Sequence, residues 1–220
     1  MLHLKVGGVP EHFNLPWHHC IEKALFEKES IKIEWIDYKG GTGAMCKALR
    51  EKEIDLAIIL SEGIVYDIIQ GNEAQLMSWY VTSPLIWGIH TSANNEFNHV
   101  NDLQNKRYAI SRFGSGSHLM AYVDALNRNW TIKDDKWVVV NSLNGALESL
   151  KNNESEIFFW EKFTTKPYVD KGELKRLAEC PTPWPCFAIA VRNELISNYK
   201  LELKKVIDIC LLYTSDAADD

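Results

Sequence analysis

Short apolar runs, each followed by a small or polar turn and then an amphipathic stretch, recur through the first seventy or so residues and again from Arg107 onward. Residues 2–9 read as a buried strand ending in Gly7-Gly8-Val9-Pro10. Asn14 is placed as an N-cap and Pro16 in the first turn of a helix reaching about Glu29, with Trp17, Ile21, Ala24 and Leu25 on one face. Residues 31–38 alternate with period two, a half-exposed strand. Gly40-Gly41-Thr42-Gly43 turns into a helix over residues 44–52 that buries Met45, Ala48 and Leu49. The run DLAIIL at residues 55–60 is continuously apolar, as a central parallel strand must be. Ser61-Glu62-Gly63 ends it, and a short helix around residues 65–70 follows. Such an alternation predicts an open, mostly parallel sheet with flanking helices, in which ligands lie beyond the carboxyl ends of the strands. Glu11/His12, Gly40–Gly43 and Ser61/Glu62 then share one rim.

The segment at residues 75–90 is too long for one ordinary strand and is interrupted by Pro84, so it reads as a strand, a kink and an extended crossing. The alternation then restarts. A strand at Tyr108-Ala109-Ile110 runs through Ser111-Arg112-Phe113 and Gly114-Ser115-Gly116-Ser117 into a helix to about Asn129. Strands are expected at residues 136–140 and 156–160, with a helix at 145–152 between them and a further short strand at 174–177. Pro181-Thr182-Pro183-Trp184-Pro185 is stiff and donor-poor, suited to a return crossing. Residues 187–191 are a strand, and residues 195–209 begin a helix.

A helix that starts on a Gly/Ser turn leaves backbone N–H groups free, and its dipole favours an anion there. Ser115, Ser117, Arg112 and His118 add side-chain donors beside Gly116. Two readings stay open on these residues alone: a contact site for a small anion, or an ordinary helix with serine as N-cap.

Bulk properties narrow the class. The chain has 220 residues, 46% hydrophobic and 25% charged, enough for a sizeable core and unlike a disordered segment. A formal net charge of −6 argues against a nucleic-acid or anionic-membrane surface. No apolar run reaches the roughly 18–20 residues that span a bilayer, so no stable membrane insertion is expected. The chain enters a strand at once, without a basic n-region or an apolar h-region, which reads as cytoplasmic, or as periplasmic only if a leader is missing. Five cysteines, Cys20, Cys46, Cys180, Cys186 and Cys210, lack framework spacing and suit reduced thiols. Cys180 and Cys186 have no second ligand pair beside them, and His18-His19-Cys20 would point in different directions on a helix, so no metal site is expected. Residues 210–220 resemble a translated sequencing adapter, so the natural chain is expected to continue beyond Ile209.

Two α/β units joined by an outgoing crossing near residues 83–90 and a return near 181–187 resemble the type 2 periplasmic-binding-protein fold over nearly all of residues 1–209. Gly40-Gly41-Thr42-Gly43, EIDLAII at 53–59, the Ser-Gly-Ser helix start and PCFAIAVRNEL at 185–195 are similar to the alkanesulfonate/taurine and thiamine-pyrimidine-precursor branch. Gly8-Val9-Pro10-Glu11-His12-Phe13 resembles a smaller, leaderless binding-protein-like subgroup. The resemblance implies two lobes, residues 1–88 plus 185–209 and residues 92–182, that close by a hinge on a small-molecule ligand. Its contacts would come from Glu11, His12, Phe13, Gly41, Thr42, Ser61 and Glu62 in the first lobe. The second would contribute Ser111, Arg112, Phe113, Ser115, Gly116, Ser117, His118, Trp160, Glu161 and Lys162. Aromatic residues at three loops suit a flat ring, helix starts and Arg112 suit an anion, and Glu11 and Glu62 suit a nitrogen.

The implied function is that of a substrate-binding protein for a small anionic or zwitterionic, heteroaromatic metabolite, with an ABC-type permease as partner and no cofactor. The alternative is an enzyme like the thiamine-pyrimidine precursor synthases. Those carry a Cys-rich motif that the scattered cysteines here do not form. No catalytic residue is assigned.

Overall fold

The computed structural model describes residues 1–216, with side chains through Leu212. In chain order its elements are β1 (Leu2–Gly8), α1 (Leu15–Glu22), β2 (Ile31–Asp37), α2 (Gly41–Arg50), β3 (Leu56–Leu60), α3 (Ser61–Ile69) and β4 (Ala74–Val81). There follow β5 (Ile86–Ser92), β6 (Tyr108–Ile110), α4 (Gly116–Asn127), β7 (Trp137–Val139), α5 (Leu143–Lys151), β8 (Ile157–Glu161) and α6 (Lys162–Asp170). The chain ends through β9 (Leu174–Pro181), β10 (Phe187–Arg192) and α7 (Asn193–Asp216). Two compact units result, one of Met1–Ser83 with the chain from Trp184 onward, the other Pro84–Pro183.

The first unit holds a sheet of order β2-β1-β3-β10-β4. β1 pairs in parallel with β2 and β3, whereas β10 lies antiparallel between β3 and β4. Alternation along the central strands fills both faces. Leu4, Val6, Leu56, Ile58, Ile189 and Val191 meet Trp17 and Cys20 of α1 and Leu203, Val206 and Cys210 of α7. Ala57, Ile59 and Ala190 meet Met45, Leu49 and Ile64 of α2 and α3 on the other face. Burial on both faces is why the DLAIIL run carries no polar alternation.

The second unit repeats the arrangement in the order β7-β6-β8-β5-β9. β6 is parallel to β7 and β8, and β5 is antiparallel to β8 and β9. The inserted, opposed strand of each sheet is thus the first one reached after a crossing: β5 after Ser83/Pro84, β10 after Pro183/Trp184. The expected lobe boundary after Gly88 differs from this division by the start of β5, whose residues 86–92 pair along their length with β8 and β9.

Several elements depart from the expectations. α1 ends at Glu22 rather than near Glu29, because Ala24 adopts a left-handed φ of +51° and Leu25 N–H donates to Cys20 O at 3.0 Å. Ala24 is therefore exposed rather than part of the apolar face. Asn14 occupies the N-cap position without capping; its buried amide Nδ2 donates to Val9 O at 2.7 Å instead. The α6 helix has no counterpart in the expected elements, since Thr164, Thr165 and Pro167 are poor helix formers. Its start is fixed by Glu161, whose carboxylate accepts from Phe163 N–H at 2.9 Å and Thr164 N–H at 2.8 Å. α7 bends at Tyr199 and runs past Ile209; Cys210 is buried and Leu211 packs on the same core. The rest of the expected adapter-like stretch, from residue 217, lies outside the described residues.

All five cysteines are buried, and none of them forms a disulfide. His90, on β5, is the one fully buried histidine among the described residues. Its Nδ1 lies 3.3 Å from Phe158 O, and its Nε2 lies 2.9 Å from Thr165 Oγ1. A carbonyl can only accept, so Nδ1 carries the hydrogen and Nε2 takes the threonine hydroxyl. Gly88 makes room for this ring, because a Cβ there would stand 2.3 Å from His90 Cε1. Burial pushes the imidazole pKa down to about 4, with Arg176 adding to the shift. A depressed histidine contributes stability that is complete above the unfolded value of about 6.5 and is lost as pH falls toward the folded one. Urea unfolding of the wild type should therefore lose on the order of 2 kcal/mol between pH 7 and pH 5 through this residue. His90→Gln should show a correspondingly shallower pH slope over that interval.

Candidate functional site

Because β1, β2 and β3 run in parallel, Glu11/His12, Gly41/Thr42 and Ser61/Glu62 all sit at one end of the first sheet. Antiparallel β10 begins there too, with Phe187 opposite Leu60 of β3. Gly8 lets β1 pass beside Trp35, since a Cβ would lie 2.5 Å from the indole. Beyond it the chain turns at once, Glu11 N–H donating to Val9 O at 2.8 Å, and leaves Glu11 and His12 exposed. Phe13 turns inward: its ring lies 4.3 Å from that of Phe187, and Tyr80 donates its hydroxyl to Phe13 O at 2.7 Å. Phe13 thus packs on the core of the first unit.

α2 begins on Gly41, whose φ of +64° is the left-handed region that glycine adopts without strain. α3 begins on Ser61, buried, donating its hydroxyl to Pro185 O at 2.6 Å while its amide donates to Cys186 O at 3.0 Å. Ser61 is in this way a clamp on the return crossing. The two helix starts touch: a Cβ on Gly63 would meet Thr42 Cγ2 at 2.3 Å. Glu62 lies between these features. Its Oε2 accepts from the Trp184 indole N–H at 3.0 Å, and its Oε1 is buried with no hydrogen-bond partner among the described residues. Burial raises the Glu62 pKa, opposed by its own main-chain amide and by the Trp184 indole.

In the second sheet the parallel strands β6, β7 and β8 likewise bring residues 111–118 and 161–162 to one end. The Ser117 hydroxyl accepts from Ser111 N–H at 2.9 Å and lies 3.2 Å from Ser111 Oγ and 3.0 Å from Ser115 Oγ. Ser115 Oγ accepts from His118 N–H at 3.4 Å and so caps α4. The three serines are buried and satisfy one another; they fix the loop rather than present hydroxyls. Both readings of this stretch therefore hold in part, because the capped helix still has orphan amides. Gly116 and Ser117 precede the first intrahelical bond, Leu119 N–H to Ser115 O at 2.9 Å. Arg112 is exposed beside them, and Phe113 is 61% exposed.

His118 takes the Gly114 N–H on Nδ1 at 3.1 Å, which leaves the ring hydrogen on Nε2, a buried atom without a partner among the described residues. Phe113, Tyr122 and Trp137 surround the ring edge-on at 4.6 to 5.3 Å, and burial lowers its pKa. Trp160 stacks on Phe158 at 5.3 Å and packs against the core of α5 and α6. Glu161 caps α6, and Lys162 pairs with Glu179 at 3.3 Å. Of the residues singled out in the sequence, the structure leaves Glu11, His12, Arg112 and Phe113 exposed, and Glu62 Oε1 and His118 Nε2 without a hydrogen-bond partner among the described residues. Trp184 was not among them; its place in a proline-rich stretch gave no periodic signal.

Two substitutions test these assignments. Gly63→Ala drives a methyl into Thr42 and should cost about 1–3 kcal/mol in denaturant unfolding, most of it recovered in the double variant with Thr42→Ser, which lacks the clashing methyl. Ser117→Ala strands the Ser111 amide and should cost about 1–3 kcal/mol, marking the hydroxyl as a structural group.

Comparison with known proteins places this architecture. Residues 87–180 match a family model described as Ca3427-like PBP. The Candida albicans CA3427 gene product, described as exhibiting the generic periplasmic binding protein structural fold, is 29% identical; the match covers 100% of this chain and 74% of that one, with a TM-score of 0.84. The periplasmic aliphatic sulphonate-binding protein SsuA of Escherichia coli is 15% identical over 100% of this chain and 76% of its own, at a TM-score of 0.76. PhnD1 of Prochlorococcus marinus, in complex with methylphosphonate, is 16% identical over 93% and 83%, at a TM-score of 0.61. No curated protein matches. With its two five-stranded sheets, each closed by one opposed strand, the chain has the type 2 periplasmic-binding-protein fold.

Proposed function

We propose that this chain is a solute-binding protein for a small anionic or zwitterionic metabolite, with the carboxyl-end rim of the second unit's sheet as the anion contact. The observation that carries the reading is the start of α4. Its orphan amides at Gly116 and Ser117 sit at the positive end of a twelve-residue helix, on a loop locked by three mutually bonded serines, with the Arg112 guanidinium exposed beside them. Donors already held in place bind an anion without the entropy of ordering them. Phe113 offers an exposed ring against which a flat heteroaromatic group can lie.

The solved neighbours support the class. They include a sulphonate-binding protein, a methylphosphonate complex and an arginine transport-system protein. One is the ligand-binding component of an ABC-type import system, and a permease partner for this chain belongs to the same proposal. No described helix is long and apolar enough to cross a membrane. The alternative of a precursor-synthase-like enzyme gains no support from the cysteines. They are dispersed through the fold and buried, and burial raises Cys180 to about 11, which keeps it a thiol.

Calorimetric titration with methanesulfonate, methylphosphonate and acetate tests the reading, alongside native mass spectrometry of the purified chain for a retained ligand. At least one of these anions should bind, and Arg112→Ala should weaken it about tenfold to a hundredfold while the unliganded melting temperature stays within a few degrees. Binding indifferent to Arg112→Ala, or no binding with no retained ligand, overturns it.

A further inference from the structure

Glu62 is a carboxylate that the fold of its own unit leaves half used. Oε2 holds the Trp184 indole at 3.0 Å; Oε1 is buried with no donor. Among the described residues no lysine or arginine shifts its pKa; burial, its own main-chain amide and the indole do. The buried Cys186 thiol has a raised pKa, first through burial and in smaller part through the Glu62 charge. Three other acids with little exposure each have a cation instead. Asp55 pairs with Arg192, Glu156 with Arg107 and Asp124 with Arg128. A buried carboxylate oxygen without a hydrogen bond or a cation is costly, and native proteins rarely keep one that has no use.

The rigidity of its setting is the second observation. Glu62 lies in the first turn of α3, at the carboxyl end of β3. The preceding residue, Ser61, is fixed by two hydrogen bonds to the return crossing, and the following one, Gly63, is pressed against Thr42 of α2. The indole fixes the carboxylate's rotation, so the unused oxygen has one direction and little freedom. A group held this way recognises a donor with little loss of entropy on binding.

We infer that Glu62, oriented by Trp184, is the specificity-determining residue of the first unit's rim and accepts a hydrogen from a nitrogen of the ligand, an ammonium or amidinium group. The inference rests on the solute-binding reading and sharpens it: the preferred ligands are zwitterions rather than plain anions. The residue binds and orients; it takes no part in bond making.

The test compares matched probes that differ only in the amine: 2-aminoethanesulfonate with ethanesulfonate, and 3-aminopropanoate with propanoate. Dissociation constants are measured by calorimetry for the wild type, Glu62→Gln and Trp184→Phe. The amino member of a pair should bind the wild type at least tenfold more tightly. Gln keeps an acceptor for the indole and turns its NH2 toward the ligand, so Glu62→Gln should abolish or reverse that preference without lowering the unliganded melting temperature. Trp184→Phe frees the carboxylate to rotate and should weaken the preference severalfold. It also serves as the second variant should Glu62→Gln fold poorly. Equal binding of both members to the wild type, or a preference that survives Glu62→Gln, overturns the role of Glu62 while small-anion binding stands. Failure of all four probes to bind overturns the zwitterion assignment; whether the solute-binding reading falls with it is decided separately by the Arg112→Ala titrations.

Discussion

The first sheet in this protein is completed by a strand that the local chain does not supply. β10 fills the gap between β3 and β4, opposed to both, and arrives only after the second unit has been traversed; Ala188, Ile189, Ala190 and Val191 are fully buried there. β5 occupies the same place in the other sheet directly after the outgoing crossing. An inserted strand that runs against its neighbours begins where theirs end. Both crossings therefore reach their sheets at the carboxyl ends of the parallel strands, where βα turns gather polar groups. Val191 lies opposite Gln75 and Arg192 opposite Ala74, and a uniform one-residue slip of β10 would exchange the side chains of its two faces.

That shared end explains how structural and ligand-directed groups divide the same few loops. Much of the polar chemistry at the rims is spent on holding the turns: Ser61 on the return crossing, Ser111, Ser115 and Ser117 on one another, and Glu161 on the start of α6. What stays unspent is small in number and different in kind, namely Glu11 and His12, the first amides of α4, the Arg112 guanidinium, the Phe113 ring, His118 Nε2 and one oxygen of Glu62. A rigid loop with few free groups is a better receptor than a flexible one with many, since less freedom is lost when the ligand arrives.

Much of the architecture was legible in the chain. Continuous apolar runs at residues 55–60 and 187–191 reported strands buried on both faces, and period-two alternation at Ile31, Ile33 and Trp35 reported a half-exposed strand; Lys32 and Glu34 of β2 are exposed and Ile31 and Ile33 buried. Pro84 and the Pro181–Pro185 cluster marked the two crossings because proline removes donors and fixes φ. The α6 helix was not legible, because its two threonines and Pro167 oppose helix locally and only Glu161 capping and packing against Leu174 and Phe158 override them. Nor was the end of α1, which depends on one left-handed alanine.

At the rims the same split holds residue by residue. Residue type and spacing alone determined that Glu11/His12, Thr42, Glu62, Arg112 and Ser115–His118 follow strands, and hence that they gather at the carboxyl ends of two sheets. Only the tertiary structure decided which of them are free. Phe13 is taken by Phe187 and Tyr80, Trp160 by Phe158, and the serines by each other, through contacts between residues far apart in the chain or across a turn whose geometry composition does not encode. Trp184 shows the reverse case. Nothing in Pro-Thr-Pro-Trp-Pro marks its indole as the partner of Glu62, because that hydrogen bond exists only once β10 has been inserted beside β3.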